Sequence, residues 1–371
     1  MSILLVNMSI DRQTGGGTAA RTLELAKSLN DDFSAKCIIL TTDQGLDDQT
    51  KRFYKESNNI ILPCLNDRFY IPIFSWRKLK NIISKVETIH IMSHWTLINV
   101  LVYFLAMRMN KPYTFCPAGT LHIFGRSSIL KKIYNYTIGS KIIKNASKCI
   151  AITELERSDF VNFGVDISTI EVISNGIDKN DLYPNQEYKN SFIERFGLIN
   201  SPYILFMGRL NLIKGPDILL DAFIKLSKKC PEFHLVFAGP NEGLQRQLQQ
   251  KIKANSLENR VHLIGYIDKQ MKIGAYTGAS LLAVPSRREA MSIVAIEAGA
   301  CETPVIVSSE CGFDEVQEVG CSVVEPVVEE FYKGLYNMIV HQNLEVIGKN
   351  FHDFVEERYT WKKTASKYLE L

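Results

Sequence analysis

The sequence predicts two α/β domains, each wound around a parallel sheet. Three observations carry this expectation. Short apolar runs alternate with stretches of helical spacing, the pattern of repeated strand–helix units. A polar segment containing Pro184, residues 178–190, interrupts the alternation, which then restarts. And 371 residues is enough chain for roughly two cores of ordinary size.

Residues 2–7 (SILLVN) are a short apolar run of the kind that forms a strand buried on both faces. A loop with Gly15-Gly16-Gly17 follows, and residues 19–26 (AARTLELA) take up helical spacing. Residues 36–42 form a second strand, ending at Asp43, and strands at 88–92 and 113–116 flank a helix over 97–109. Residues 148–153 repeat the pattern and lead into a helix holding Glu154 and Arg157. Asn175-Gly176 marks a turn. After the polar segment come a strand at 203–207, a helix at 217–228 and a strand at 233–238. Further strands are expected at 261–264, 281–284 and 305–307. The tail, 351–371 with Trp361 and Tyr368, reads as an amphipathic helix able to cross back over the first domain. The expected division is a first domain over 1–178 with helix 355–371 returning to it, a linker over 179–200, and a second domain over 201–354.

Bulk composition excludes several classes. Hydrophobic residues at 46% and charged residues at 22% describe an ordinary globular chain. The start, MSILLVN, has no basic leader and reads as a strand rather than a signal peptide. The longest apolar run, 97–107, is broken by Asn99 and is too short to span a bilayer. The eight cysteines include no Cys-x-x-Cys pair, so reduced, buried thiols are expected and a zinc or redox site is not. The expected location is the cytoplasm. The net charge of +3 hides an uneven distribution: between Arg68 and Thr153 thirteen Lys and Arg meet a single acid, Glu87.

Three constellations carry chemistry. In PSRREAMSIVAIEA, residues 285–298, Glu289 and Glu297 bracket a nearly apolar run. Pro285 ends a strand and Ser292 is a natural N-cap, so Glu289 falls in a loop and Glu297 in the second turn of a helix. The amides and the positive helix terminus between them suit an anion, and the carboxylates suit hydroxyls. That order of polarity matches a sugar nucleotide. The second constellation, FMGRLNLIKG over 206–215, puts Arg209 and Lys214 at the carboxyl end of a strand, where two cations can neutralise a departing diphosphate without a metal. The third, Gly15 to Ala20, formally fits a dinucleotide-binding G-x-G-x-x-A with Asp43 ending the next strand. Seven residues, 8–14, separate its strand from its first glycine, which suits a loop approaching a phosphate or sugar better than a dinucleotide turn.

Taken in order along the chain, these stretches resemble the retaining glycosyltransferases of family four. The resemblance rests on Glu289 and Glu297 as the E-x7-E pair, on GRLNLIKG, on EAGACETPVIVSS, on Asn175-Gly176-Ile177-Asp178 and on the glycine loop. It implies the GT-B architecture, two Rossmann-like α/β domains facing across a cleft, and covers nearly the whole chain. It implies that Glu289 contacts the donor sugar as the catalytic carboxylate and that Glu297 binds the ribose hydroxyls. Arg209 and Lys214 would hold the diphosphate; the amides of Met291, Ser292 and Ile293 would meet sugar or phosphate, and Gly16 and Gly17 would close from the first domain. It implies no cofactor and no bound metal, with a UDP- or GDP-linked sugar as substrate.

Two departures stand out. Many relatives carry His-Gly after the strand matching 113–116, whereas this chain reads Pro117-Ala118-Gly119-Thr120. His94 and His122 are the nearby candidates for the missing polar group, with His94 as a second candidate catalytic residue. Ala290-Met291-Ser292 also replaces the usual Gly-Phe-Gly, which points to an unusual sugar. Residues 126–148 carry six basic residues, no acid and interleaved apolar side chains, which suits peripheral docking on an anionic inner membrane face where a lipid-linked acceptor sits. Nucleic acid is a poorer partner, since no recognised binding module accompanies the charge.

The expectation is therefore a retaining hexosyltransferase that acts on a carbohydrate or lipid-linked acceptor in cell-surface polysaccharide or lipopolysaccharide synthesis. Its rivals are an NAD-dependent oxidoreductase using the glycine loop and a degenerate GT-B protein that only binds sugar or nucleotide.

Overall fold

The structure is a computed structural model, and it describes residues 1–11, 14–65, 70–123 and 127–371. The chain divides into two compact units: residues 1–175 with 361–371, and residues 176–360.

Unit 1 holds strands β1 (Ser2–Val6), β2 (Lys36–Thr42), β3 (Ile60–Leu62), β4 (Thr88–Met92), β5 (Tyr113–Cys116), β6 (Lys148–Ala151) and β7 (Ile170–Val172). Its helices are α1 (Gly16–Asp31), α2 (Asp48–Glu56), α3 (Trp76–Lys85), α4 (Leu97–Arg108), α5 (Ser128–Tyr134), α6 (Ser140–Lys144) and α7 (Glu154–Asn162). The sheet runs β3-β2-β1-β4-β5-β6-β7 with every pairing parallel. Helices on both faces explain why the central strands read as unbroken apolar runs: Leu4, Val6, Ile89, Ile91 and Phe115 are all fully buried in one core.

Unit 2 opens with α8 (Gln186–Arg195) and carries β8 (Tyr203–Met207), α9 (Pro216–Leu226), β9 (His234–Ala238), α10 (Gln245–Ala254) and β10 (Val261–Gly265). It continues through α11 (Lys269–Gly278), β11 (Leu281–Val284), α12 (Ile293–Ala300), β12 (Val305–Ser308), β13 (Ser322–Val324), α13 (Val328–His341) and α14 (Leu344–Arg358). Its sheet, β10-β9-β8-β11-β12-β13, is also wholly parallel. The chain then returns to unit 1 as α15 (Trp361–Leu369), which packs on α1.

Both sheets reverse their strand order once, at β1/β4 and at β8/β11. Connections leave such a pair in opposite directions, so the loops at the strands' carboxyl ends part and leave room for a ligand. In unit 1 Gly16 and Gly17 open α1 after the β1 loop and His94 lies in the β4 loop; in unit 2 the parted loops hold Arg209, Lys214 and Glu289.

Three expectations need correction. Residues 179–200 are not a free linker: α8 lies there and packs on α11, with Phe192 fully buried and a Cβ at Gly274 reaching 2.2 Å from Tyr188 O. The polar spacing of QEYKNSFIER hid that contact, because one buried aromatic is enough to dock so short a helix. The tail is two helices, since α14 ends at Arg358 and only α15 belongs to unit 1. Strands β3, β7 and β13 lay below the reach of pattern reading, each being three residues long. Arg126, the first cation of the basic stretch, and Arg68 lie outside the described residues. All eight cysteines are free and seven are buried.

Candidate functional site

The switch point of unit 2 gathers the charged residues. Strand β8 ends at Met207 and its loop runs to Gly215; strand β11 ends at Val284 and its loop runs to Ser292. Gly215 lets the two loops close on each other. Its φ is +70°, and a Cβ there would sit 2.1 Å from Pro285 O, so no other residue fits. Arg287 braces the same pair of loops. Its guanidinium donates to both Asp217 carboxylate oxygens, at 2.9 and 2.6 Å, and to Leu212 O at 2.6 Å.

Within this frame Lys214 Nζ meets Glu289 Oε1 at 2.5 Å, both side chains mostly shielded from solvent. Glu289 Oε2 accepts from Ser286 Oγ at 3.0 Å and faces the Cys311 thiol at 4.0 Å. Burial, then the Glu289 carboxylate, push that thiol up to about 12, so it stays protonated and acts as a weak donor. Glu289 is thus held from behind while its ammonium partner faces it.

Glu297 lies on α12 as expected, in its second turn, and both its oxygens are occupied. Lys272 Nζ approaches Oε1 at 2.7 Å and Tyr276 OH donates to Oε2 at 2.8 Å. Burial, then Glu297, hold the Tyr276 phenol well above its usual range. Ser292 occupies the N-cap position but makes no capping bond, contrary to expectation; its Oγ is fully buried and has no partner among the described residues. A buried hydroxyl without a partner costs free energy, of order 1–3 kcal/mol, unless a ligand satisfies it. The Ile293 amide turns back to Met291 O at 3.1 Å, and Met291 itself is buried.

Arg209 is the outlier. It is more than half exposed and pairs with Glu242 at 3.1 Å, while Asn211 Nδ2 donates to the other Glu242 oxygen at 2.8 Å. Lys214 and Glu289 are therefore brought together, whereas Arg209 and Glu297 each hold separate partners. Glu242, Lys272, Tyr276 and Arg287 escaped the sequence reading. Lys272 and Tyr276 stand four apart, the spacing that stacks two side chains on one helix face, but nothing in the sequence aims that face at Glu297.

In unit 1, α1 begins with Gly16 and Gly17. A Cβ at either would meet nothing within 4 Å, so packing inside the unit does not require glycine there. His94 is buried, ringed by Trp95, Phe115, Tyr134 and Phe163, with Nε2 at 2.8 Å from Asn135 Oδ1. Burial lowers its pKa to about 4, against the opposing Asn135 bond, so the ring is neutral near pH 7. His122 Nε2 contacts Asp159 Oδ1 instead. Ala118 and Gly119 take left-handed φ values of +49° and +81°, and the Gly119 amide donates to the buried carboxylate of Glu156. Asp43 is spent on local structure: Oδ1 accepts from the Cys64 amide at 2.8 Å and Oδ2 lies 3.6 Å from Lys51.

Residues 191–359 match the family model described as glycosyl transferases group 1, and residues 15–181 match the one described as glycosyltransferase family 4. The D-inositol 3-phosphate glycosyltransferase of Xylanimonas cellulosilytica is 31% identical over 185 residues, 47% of this chain and 44% of that protein. The mannosylfructose-phosphate synthase of Agrobacterium fabrum is 27% identical over 256 residues, 62% of this chain and 53% of that protein. The match therefore spans about half the length of these curated relatives. Among solved structures, Anabaena Alr3699/HepE in complex with UDP superposes with a TM-score of 0.80 at 18% identity, covering 100% of this chain and 99% of that one. At that identity the likeness speaks for the fold: two Rossmann-like units of the GT-B kind.

Proposed function

The chain belongs to the family 4 glycosyltransferases, and from that membership we propose that it moves a hexose, with retention, from a nucleotide-sugar donor to a carbohydrate or lipid-linked acceptor. The observation that carries this is the Lys214–Glu289 pair at the switch point of unit 2, beside a helix whose N-cap hydroxyl, Ser292 Oγ, is buried and unpartnered. Lys214 and Arg209 neutralise the leaving diphosphate in place of a metal, Arg209 exchanging Glu242 for phosphate oxygens. The positive end of α12 and the Ser292 hydroxyl receive a phosphate or sugar oxygen. Glu289 binds hydroxyls of the sugar and steadies the charge that grows at its C1 as the bond to the diphosphate breaks. Glu297 takes the ribose hydroxyls once Lys272 and Tyr276 yield or share its oxygens. Gly16 and Gly17 stand at the amino end of α1, where a Cβ would meet nothing within 4 Å. His94, enclosed and neutral, is given no part in the chemistry.

UDP is the first base to test, because the Anabaena neighbour binds it. Cell-surface polysaccharide or lipopolysaccharide is the acceptor class this reading favours, as the family resemblance implies.

The dinucleotide alternative is disfavoured by two facts. Strand β1 ends at Val6 and α1 starts only at Gly16, too far for a glycine turn directly after the strand. The acid that would take a ribose, Asp43, is already bonded to Cys64 and Lys51. Calorimetry with UDP, GDP, ADP and NAD, on the wild type and on Glu297→Ala, decides the matter. One nucleoside diphosphate should bind, and the substitution should weaken it at least about tenfold, as expected for losing hydrogen bonds to a charged group. Binding of NAD alone, unchanged by the substitution, would end the transferase proposal.

A further inference from the structure

On unit 1, α3 and α4 leave a groove of about 750 Å³ between them, lined by Trp76, Arg77, Lys80, Phe104, Arg108 and Met109. Its composition is unusual for a solvated surface. Trp76 is 54% exposed and Phe104 53%, although both are large and apolar. The three cations have no ion-pair or hydrogen-bonding partner among the described residues, and no acidic residue lines the groove. The one acid between residues 68 and 153, Glu87, accepts from Ser2 Oγ at 3.3 Å, beside the start of β4.

The groove lies toward the carboxyl end of α4, and exposed apolar residues continue along that helix to its amino end. On α4, Leu97, Phe104 and Met107 recur at helical spacing on the outer face and all are exposed. Tyr134 OH reaches Thr96 O at 3.5 Å and ties α5 to the start of α4. There Ile129, Leu130, Ile133 and Tyr136 are exposed beside Lys131 and Lys132. Single exposed apolar residues need no explanation, but a contiguous set rimmed by one sign of charge marks a binding surface. No helix among the described residues is long and apolar enough to cross a membrane.

We infer that this face of unit 1 docks on the surface of a phospholipid bilayer carrying anionic headgroups, with the α3–α4 groove taking the phosphate of one lipid between Arg77, Lys80 and Arg108. Trp76 sits at headgroup depth, where a ring with one polar edge and one apolar side is most stable, and Phe104 adds apolar area beside it. Charge complementarity selects the occupant: a second copy of this chain would set three cations against the same three. Each cation facing an anionic bilayer strengthens partitioning by roughly fivefold. The inference is independent of the transfer reaction, since none of these residues belongs to the donor-binding set; a chain with no transferase activity would still bind vesicles.

The test is sedimentation of the full chain with vesicles containing phosphatidylglycerol and with pure phosphatidylcholine vesicles. Binding should occur to the first, weaken as salt rises, and fall at least tenfold when Arg77→Glu is combined with Arg108→Glu. Tryptophan emission should shift to the blue on binding, and the shift should be lost in Trp76→Phe. Nucleotide affinity and melting temperature should be unchanged in both variants; if the charge reversals impair folding, Arg77→Gln with Arg108→Gln carries the same test. Absence of binding to phosphatidylglycerol vesicles overturns the inference, as does binding that the paired substitutions leave intact. A dimer that those substitutions dissolve, in a chain that ignores vesicles, would assign the face to self-association instead.

Discussion

Lys214 and Glu289 neutralise each other at 2.5 Å in the ligand-free protein, and this bears on what their substitutions do. Removing Lys214 takes a cation from the leaving diphosphate and leaves Glu289 a mostly buried charge without its partner. Lys214→Ala should therefore lower kcat by roughly 10²–10³, the cost of losing one charge-stabilising donor in a closed site. Glu289→Gln keeps the shape and the Ser286 contact but loses the charge, and turnover should fall by a similar factor while nucleoside diphosphate affinity changes less than threefold. Steady-state rates and calorimetry on the two variants separate these effects; a Glu289→Gln enzyme of normal kcat would remove Glu289 from the chemistry. Glu289 and Lys214 were named from the sequence by their place in stretches that resemble the family's motifs, since a lone carboxylate or cation at a strand end has many other uses; the structure brings the two together. The partners of Arg209 and Glu297 were not. Glu242 reaches its partners from the loop before α10, and Lys272 and Tyr276 reach Glu297 from helix α11; side-chain contact across elements leaves no periodic trace.

Elements rather than single groups set the loop geometry. The β8 and β11 loops touch at Gly215 and Pro285, and Arg287 with Asp217 ties them again one turn further. Gly215→Ala would pay both a left-handed backbone penalty of about 1–2 kcal/mol and a collision with a carbonyl oxygen. A loss of at least about 2 kcal/mol follows, or roughly 4–8 °C in the melting temperature of a unit this size. Differential scanning calorimetry measures it, and an unchanged transition would show that the loops can part without cost. At this scale the central strands were readable, since Ile3 to Val6 and Leu281 to Val284 are apolar throughout. The edge strands β3, β7 and β13 and helix α8 were not, because three-residue ladders and a polar helix held by Phe192 look like loop from sequence alone.

At the scale of the whole molecule, acid acts through histidines shielded from solvent: burial lowers His234 and His262 in unit 2, and in unit 1 His90 and His94 are joined by Glu156. Burial lowers His90 to about 3 and His94 to about 4, so both are neutral when folded and take up a proton near pH 6.5 when unfolded. Their contribution is complete above pH 6.5 and is lost as pH falls, at roughly 1.4 kcal/mol per unit for each ring. Glu156, raised to about 7 by burial, has the opposite sign: folded, it holds its proton more tightly than the unfolded carboxyl does. Between about pH 6.5 and 4.5 it cancels one histidine, leaving a net loss of roughly 1.4 kcal/mol per unit. Melting curves at several pH values should therefore show a steadily falling midpoint across that window. A flat or rising curve would contradict the burial of the two rings. The two-unit plan was visible in the repeated strand–helix rhythm, but the point where the chain goes back was misplaced. One buried side chain explains the true point. Arg21, on α1, is enclosed; it donates to Asn175 and Ile173 at the end of the first pass, and to Tyr368 on α15 at 3.1 Å. That arrangement imposes an order in time. A growing chain makes α1 and the whole first sheet early, then must synthesise all of residues 176–360 before Tyr368 exists. At roughly 5–20 residues per second this is a wait of about 10–40 s, during which Arg21 lacks its last partner. The second unit can be complete before the first, so residues 361–371 finish a unit that residues 1–175 began.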